Sequence, residues 1–459
     1  MKWNKVDDPS DISSLLFQKN DDHINANTRT SCYYVGPVAI TNTAVVSGRG
    51  LIAMRNIAAG ECLFVTPATV SARVESVYQL WVSRNSEPGT LEEISEQVLV
   101  EKMKSLISNA DEQATVESFM ALMGATASNT TSLSIAQLLG RGSDEATASF
   151  TINNISDDGL LQIIRKNAFG PDFVTYSSIE HQWLDNNTFT PRRLLGLFPL
   201  AAMINHSCVP NAVRVFAGET MITHACDSIK AGQEIVWSYL PPTQPYPQRH
   251  ATLRHRHEFV CQCRRCTGEA EFWDAPPDSI SVSTLDSWVR LCNRTLDDVD
   301  VQEARSATIR LLEDVLQAKD IANGTKHFIR VGFTQIYISY LNYALQSTKS
   351  VEVNHLDYLL QKICLPLHLS MVACNNASTE HLSILHLCYE LMGFIHSASK
   401  DQNLTINKLR FWTTQVRKAC MVRYGNLGND IESVRKVMQH TRTVLRNKDG
   451  FARSTHGYI

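Results

Sequence analysis

Several things are missing from this sequence, and each absence closes a class of function. There is no excess of either charge: 43 Lys and Arg face 46 Asp and Glu, for a net charge of −3. A chain so balanced does not hold nucleic acid by bulk electrostatics, and no direct nucleic-acid contact is expected. There is no long hydrophobic run. The longest, Leu194 to Ile204, is interrupted by Gly196 and Pro199. It falls short of the ~20 apolar residues that span a bilayer, so no membrane role is expected. Met1 to Ser14 is charged and polar, without the apolar centre of a secretory signal. Cysteine is sparse at 12 in 459 residues, and most stand alone. That is not the density of a disulfide-stapled secreted domain, and the single cysteines read as reduced, buried thiols. An intracellular protein, nuclear or cytoplasmic, is expected.

A chain of 459 residues is too long for one ordinary core. Residues 1–32 are polar and read as a loose arm. Residues 33–70 have β texture, with short runs such as Val38-Ala39-Ile40, Ala44-Val45-Val46, Leu51 to Met54 and Cys62 to Val65. Residues 71–160 change to helical spacing. Val74, Val77, Tyr78 and Trp81 form one such set, Ile94, Val98, Leu99 and Met103 a second, and Val116, Phe119, Met120 and Met123 a third. Gly140 to Ser143 reads as a loop within this insertion. The helical texture runs on to residue 168, and residues 173–240 return to β within a core region over 161–245, with a hairpin over 212–224. Pro241, Pro242, Pro245 and Pro247 suggest a rigid linker, followed by a short basic helix over Gln248–His257. Residues 246–275 hold a cysteine cluster.

Residues 280–459 read as helical throughout, with a stripe at Ala304, Ala307, Leu311, Val315 and Ala318. Further segments fall near 325–346, 354–374, 379–398, 405–424 and 429–447. Paired helices of this length resemble a tetratricopeptide-like array, although the letters carry no repeat signature. The expected class is α+β: a β-rich core with a helical insertion, then an all-α C-terminal domain.

Cys261-x-Cys263-x-x-Cys266 places three thiols on a tight loop. Structural zinc takes four soft ligands in a tetrahedron, so a fourth must come from elsewhere. Cys208 is the candidate, because it lies in the other dense polar motif; His206, His255 and His257 are chemically acceptable alternatives. His250, His255 and His257 otherwise read as a solvated helix face. Gly48-Arg49-Gly50 lies between two β runs and by itself reads as a turn. Asn205-His206-Ser207-Cys208-Val209-Pro210-Asn211 reads as an Asx turn entering a proline-fixed bend. His206 cannot activate its neighbours Ser207 or Cys208 as a nucleophile, since adjacent residues of an extended chain do not face one atom.

Together these motifs resemble the SET-domain protein lysine methyltransferases. The resemblance runs through Gly48-x-Gly50, Asn205-His206-Ser207-Cys208-x-Pro210-Asn211, Gly232-x-Glu234 leading to Tyr239, and Cys261-x-Cys263-x-x-Cys266. Ile57-x-x-Gly60-Glu61-x-Leu63-Phe64 and Lys166-Asn167-Ala168-Phe169 are similar to the SMYD (SET and MYND) branch. The likeness is specific over 45–70 and 160–267 and architectural after 280. One departure stands out: no cysteine lies between Cys62 and Cys208. The MYND zinc finger is therefore expected to be absent, with the helices of the insertion in its place.

The resemblance implies S-adenosylmethionine as cofactor, held by Asn205 and His206, by backbone of Gly48, Arg49 and Gly50, and by Asn167, with Tyr239 at its reacting end. Phe259 would stack on the adenine. It implies a structural zinc on Cys208, Cys261, Cys263 and Cys266, pinning Phe259 in place. Tyr239 would be the catalytic residue, aligning the amine of a protein lysine for in-line methyl transfer. The implied partner is a protein substrate presenting a lysine, with protein partners on the C-terminal helices. The competing reading is a catalytically inactive SET core carrying a helical interaction array.

Overall fold

The computed structural model describes residues 4–5, 32–43, 48–74, 91–122, 134–139, 155–170, 193–217, 219–277, 279–292, 299–317, 321–346, 353–399 and 402–425. The polar arm, the Val77–Trp81 repeat, the Gly140–Ser143 loop and the 429–447 segment lie outside them. The chain divides into two compact units. One comprises Met1–Asn205 and Arg214–Val236, the other His206–Val213 and Trp237–Ile459.

Most of the β structure lies in the first unit. The strands are β1 (Asn4–Lys5), β2 (Cys32–Val35), β3 (Val38–Thr43), β4 (Gly48–Ala53), β5 (Cys62–Pro67) and β6 (Val70–Val74). Later come β7 (Ala168–Phe169), β8 (Arg193–Leu197), β9 (Asn205–His206), β10 (Ala212–Ala217), β11 (Thr220–Ala225) and β12 (Glu234–Trp237). They build sheets of order β1-β2-β5-β11-β10, β3-β4-β12-β9 and β6-β8-β7. In β5, Leu63, Phe64 and Val65 are all buried, as expected of a strand with neighbours on both edges and cover on both faces. The expected hairpin is β10 and β11.

Two turns lie side by side where Ile57 bridges Ile229. In each, the fourth residue's N–H returns to the first carbonyl: Glu61 to Ala58 at 3.1 Å and Gln233 to Lys230 at 2.9 Å. The third residue has positive φ, 85° at Gly60 and 77° at Gly232. Only glycine adopts that region without a steric cost, which explains both motif glycines physically.

The insertion's described residues form α1 (Leu91–Ile107), α2 (Gln113–Met120) and α3 (Ile135–Leu138), then α4 (Asp157–Asn167) and α5 (Pro199–Ala202). α4 falls at the end of the stretch expected to be helical, and its bounds are written in the sequence: Ser156 caps Gly159 N–H at 3.2 Å, Asp157 and Asp158 follow, and Arg165 and Lys166 close it. Such charges complement the helix dipole at both ends.

Beyond Pro245 the secondary structure of the second unit's described residues is helical: α6 (Tyr246–Arg256), α7 (Arg264–Asp274), α8 (Val282–Cys292), α9 (Val299–Gln317), α10 (Asn323–Gly332), α11 (Thr334–Gln346), α12 (Val353–Leu359), α13 (Leu365–Asn375), α14 (Thr379–Ala398) and α15 (Gln402–Tyr424). Pro247 lies in the first turn of α6, not in a linker, because the missing N–H of proline costs nothing there. The expected 325–346 helix breaks at Phe333 into α10 and α11. The 354–374 segment is one rod with a π turn at Leu360–Cys364, next to Pro366. A proline removes one helical hydrogen bond, and a wider turn absorbs the gap.

The stripe expected on α9 is only partly on the buried face. Val315 is buried as expected and Ala318 lies outside the described residues, but Ala304, Ala307 and Leu311 are exposed, and the buried face is made by Val301, Arg305, Ile309, Leu312, Val315 and Leu316. Burying Ile309, Leu312 and Leu316 removes more apolar area from water than burying two alanines, and Arg305 is carried inward with them.

α14 and α13 share a buried imidazole pair. Ala377 N–H donates to His381 Nδ1 at 3.1 Å, so His381 Nε2 carries the proton and donates to His368 Nδ1 at 3.0 Å. The rings stack 5.2 Å apart, with Trp412 5.6 Å from His368. Burial pushes His368 down to about 4 and His381 well below the usual imidazole range. Above pH ~6.5 both are neutral whether folded or unfolded; below it only the unfolded chain gains protons, so stability falls as pH falls. The thermal midpoint should therefore drop between pH 7.5 and 5. A His368→Leu/His381→Asn double variant should drop less; equal losses in the two proteins would contradict this assignment.

Candidate functional site

The residues singled out by the motifs fall into two groups, one in each unit. In the first unit Gly48, Arg49 and Gly50 are not a turn. They open β4, in register with Thr43, Asn42 and Thr41 of β3. Backbone pairing along this edge outweighs the flexibility that a G-x-G confers. Asn205 Nδ2 donates to Arg49 O at 3.1 Å and to Glu234 Oε1 at 2.7 Å. Asn205, the Gly-Arg-Gly backbone and the glutamate of Gly232-x-Glu234 thus converge, and the amide of Asn205 is oriented from two sides. The Arg49 side chain runs elsewhere, donating to Ala121 O at 2.8 Å. Asn167 ends α4 and donates from Nδ2 to Ile163 O at 3.0 Å, so its amide caps its own helix.

The second group begins one peptide bond later, at His206. Ser207 N–H pairs with Trp237 O at 2.9 Å. Tyr239 N–H donates to His206 Nδ1 at 2.9 Å. A backbone N–H can only donate, so Nδ1 is the acceptor and Nε2 carries the proton. That proton points at Cys208 Sγ, 3.2 Å away. The expected Asx turn is a serine turn instead: Ser207 Oγ accepts from Val209 N–H at 3.1 Å. Asn205 has already spent its side chain on Arg49 and Glu234.

Three rings gather around Tyr239. His206 and His257 each lie 5.1 Å from it, and Phe259 meets it edge-on at 6.5 Å and 88°. Phe259 is 5.8 Å from His206. His257 corrects the sequence reading, which placed it with His250 and His255 on a solvated face. His255 is exposed, but His257 lies past the end of α6 and is half-buried against Tyr239. Burial, with Arg256 and His206 adding to it, pushes His257 down to about 4, so it is neutral at physiological pH. His250 also packs, 4.1 Å from the Tyr246 ring. Glu258, at φ 60°, reverses the chain between His257 and Phe259. Positive φ just after a helix is a common way to end it, usually with glycine.

Cys208, Cys261, Cys263 and Cys266 bring their Sγ atoms within 4.8 Å of one another, with Cys208 and Cys266 3.6 Å apart. A tetrahedron of thiolates at ~2.3 Å from zinc has sulfurs ~3.8 Å apart, so the donor set and spacing fit one such ion. The histidines offered as alternatives are not in this cluster. Hydrogen bonds from Cys261, Cys263 and Cys266 hold the Cys208 thiol well below the ordinary range. Hydrogen bonding to Cys208 pushes Cys261 and Cys266 up. By contrast, burial is the main cause that pushes the isolated Cys62, Cys226, Cys292 and Cys420 up to about 12, with Glu61 adding to it at Cys62 and Asp227 at Cys226.

A family model described as SET domain matches residues 48–240, from the first residue of β4 to the residue after Tyr239. Over residues 48–240 the chain thus carries a SET domain. It is similar over short segments to curated relatives. It is 42% identical over 73 residues to the histone-lysine N-methyltransferase ASHR1 of Arabidopsis thaliana, covering 16% of this chain and 15% of that protein. It is 43% identical over 81 residues to the protein-lysine N-trimethyltransferase SMYD5 of Homo sapiens, covering 17% and 19%. It is 37% identical over 72 residues to the N-lysine methyltransferase SMYD2 of Homo sapiens, covering 16% and 17%. The matched segments therefore span less than a fifth of these relatives' lengths. No helix among the described residues is long and apolar enough to cross a membrane.

The cysteine geometry gives a direct expectation. Elemental analysis of the full-length SET-domain protein should find one zinc per chain, and Cys261→Ser or Cys266→Ser should fall well below that. His206→Ala, which removes the N–H donor to Cys208, should weaken zinc retention against a chelator by roughly 10- to 100-fold. Full-length protein free of metal and equally stable with or without added zinc would contradict the site.

Proposed function

We propose that this SET-domain protein is an S-adenosylmethionine-dependent protein-lysine N-methyltransferase. The observation that carries the reading is the convergence of separate motifs inside the 48–240 match: Asn205 is fastened to the Gly48–Gly50 strand and to Glu234, and Tyr239 to His206. The names of the relatives, all lysine methyltransferases, support it.

When bound, S-adenosylmethionine supplies the sulfonium methyl that is transferred to a lysine amine. Asn205, whose amide is oriented by Arg49 O and Glu234, would bind its amino-acid portion. The backbone of Gly48, Arg49 and Gly50 would line the same pocket. Asn167 would contribute only by exchanging its bond to Ile163 for one to the cofactor. His206, by its backbone, and Phe259, by stacking, would hold the adenine end. Tyr239 would place the lysine nitrogen in line with the methyl, since methyl transfer depends chiefly on alignment at about 3 Å. His257 joins this proposal as a neutral, half-buried wall beside Tyr239. Such walls keep water out and favour an uncharged amine by desolvation.

The zinc held by the four cysteines would be structural, fixing the Phe259 loop. The substrate is a protein presenting a lysine. We place the absence of a MYND finger in the same proposal, with the cysteine-free 63–207 stretch as its support.

Two measurements separate this enzyme from an inactive SET scaffold. S-adenosylhomocysteine should raise the thermal midpoint of the wild-type protein and not that of Asn205→Ala. Transfer of labelled methyl to a protein panel should occur, with Tyr239→Phe slower by roughly 10²-fold, as for loss of one aligned hydroxyl. No midpoint shift and no transfer from wild type would leave the scaffold.

A further inference from the structure

Two buried arginines stand beside the thiols and take no part in the chemistry above. Arg249 lies on α6 one turn before Leu253, and Leu253 packs in the same buried cluster as Cys208, Cys261 and Cys266. Residues four apart share a helix face, so Arg249 is on the side that meets the cysteines. Arg265 directly precedes Cys266 on α7. Both side chains are 0% exposed, and Glu269, one turn further along α7, is 1% exposed.

Glu269 Oε2 accepts from Arg249 Nη2, and Arg265 Nε lies 3.3 Å from the same oxygen as an ion pair. Arg249 Nη1 donates to Gln244 O at 2.7 Å; Arg265 donates to Pro242 O at 2.7 Å and Phe328 O at 3.4 Å. These bonds tie α6, α7, α10 and the chain between Tyr239 and α6. The fit on α10 is close: a Cβ at Gly332 would sit 3.4 Å from Pro245 Cα and 3.7 Å from both Arg265 Nη2 and Glu269 Oε1.

The charge count is unequal. Two guanidinium groups share one carboxylate, leaving one buried positive charge in excess. An uncompensated buried charge is costly, so it needs a counterpart nearby. Four thiolates around a divalent ion leave an excess of two negative charges. Burial opposes the charge on Arg249, but Glu269, Cys208 and Cys266 outweigh it and hold it firmly protonated.

We propose that Arg249 and Arg265, joined by Glu269, are positioning residues for the metal centre. Their excess positive charge stabilises the four-thiolate complex, and their bonds couple metal binding to the docking of α7 on α10. This rests on the reading that the four cysteines bind a divalent metal.

The test is titration of the metal-stripped, full-length protein with cobalt(II), whose sulfur-to-cobalt absorption reports four-thiolate coordination. Wild type should bind one cobalt with that spectrum; no such spectrum would overturn the metal reading and the proposal with it. Given wild-type binding, Arg249→Met should bind roughly 10- to 100-fold more weakly, the range for residues that support a metal's ligands. Arg249→Lys, which keeps the charge, should recover most of that loss. Glu269→Gln, which adds net positive charge, should bind as tightly as wild type or more tightly, with a larger thermal stabilisation by metal. If Arg249→Met binds like wild type, or if Arg249→Lys and Glu269→Gln weaken binding as much as it does, the role is packing and the proposal fails. Should Arg249→Met not fold, the opposite signs expected for Arg249→Lys and Glu269→Gln against a packing role still decide.

Discussion

Four sulfur atoms cannot be buried within 4.8 Å of one another as anions unless a cation joins them. This constraint organises the second unit. It explains why Cys208, at the head of the unit, meets a loop more than fifty residues later. It also gives the His206 ring a definite orientation, with its N–H on Cys208 and its other nitrogen receiving Tyr239 N–H. Whatever fixes Cys208 therefore also fixes the backbone at Tyr239. The metal site and the tyrosine are connected through one imidazole rather than lying near each other by chance of folding.

The first unit meets a different demand. Its sheets must present backbone, not side chains, along β4 beside Asn205. Glycines at 48 and 50 leave that strand bare, and the arginine between them turns its side chain to Ala121. Asn205 then spends both amide protons on the protein, which leaves its position settled before any ligand arrives. Asn205 and His206 are adjacent in sequence, yet the side chain of each bonds within a different unit.

Much of this was legible in the letters. Cys208 could be named as the fourth thiol because it stands in the other dense polar motif, and the strands of the first unit follow from β-branched runs between glycines. What was not legible has a common cause: polar residues were read by type, before their neighbours were known. His257 and Arg249 belong to a stretch that looks like a solvated basic helix, but the helix stops at Arg256 and packs one face inward. Arg305 hid the buried face of α9, because an arginine in an apolar stripe argues against burial until Ile309 and Leu312 outweigh it. Gly48 and Gly50 read as a turn because pairing with β3 depends on a partner that local sequence does not specify. The break at Phe333 has no glycine or proline at the position itself to announce it.

The central claim is that the metal centre holds in place the wall of a cofactor pocket. Calorimetric titration of S-adenosylhomocysteine into the full-length protein, before and after removal of metal and again after zinc is restored, tests it most directly. The account predicts one site per chain that is lost with the metal and regained with zinc. Binding of unchanged affinity to protein verified to be metal-free would contradict it.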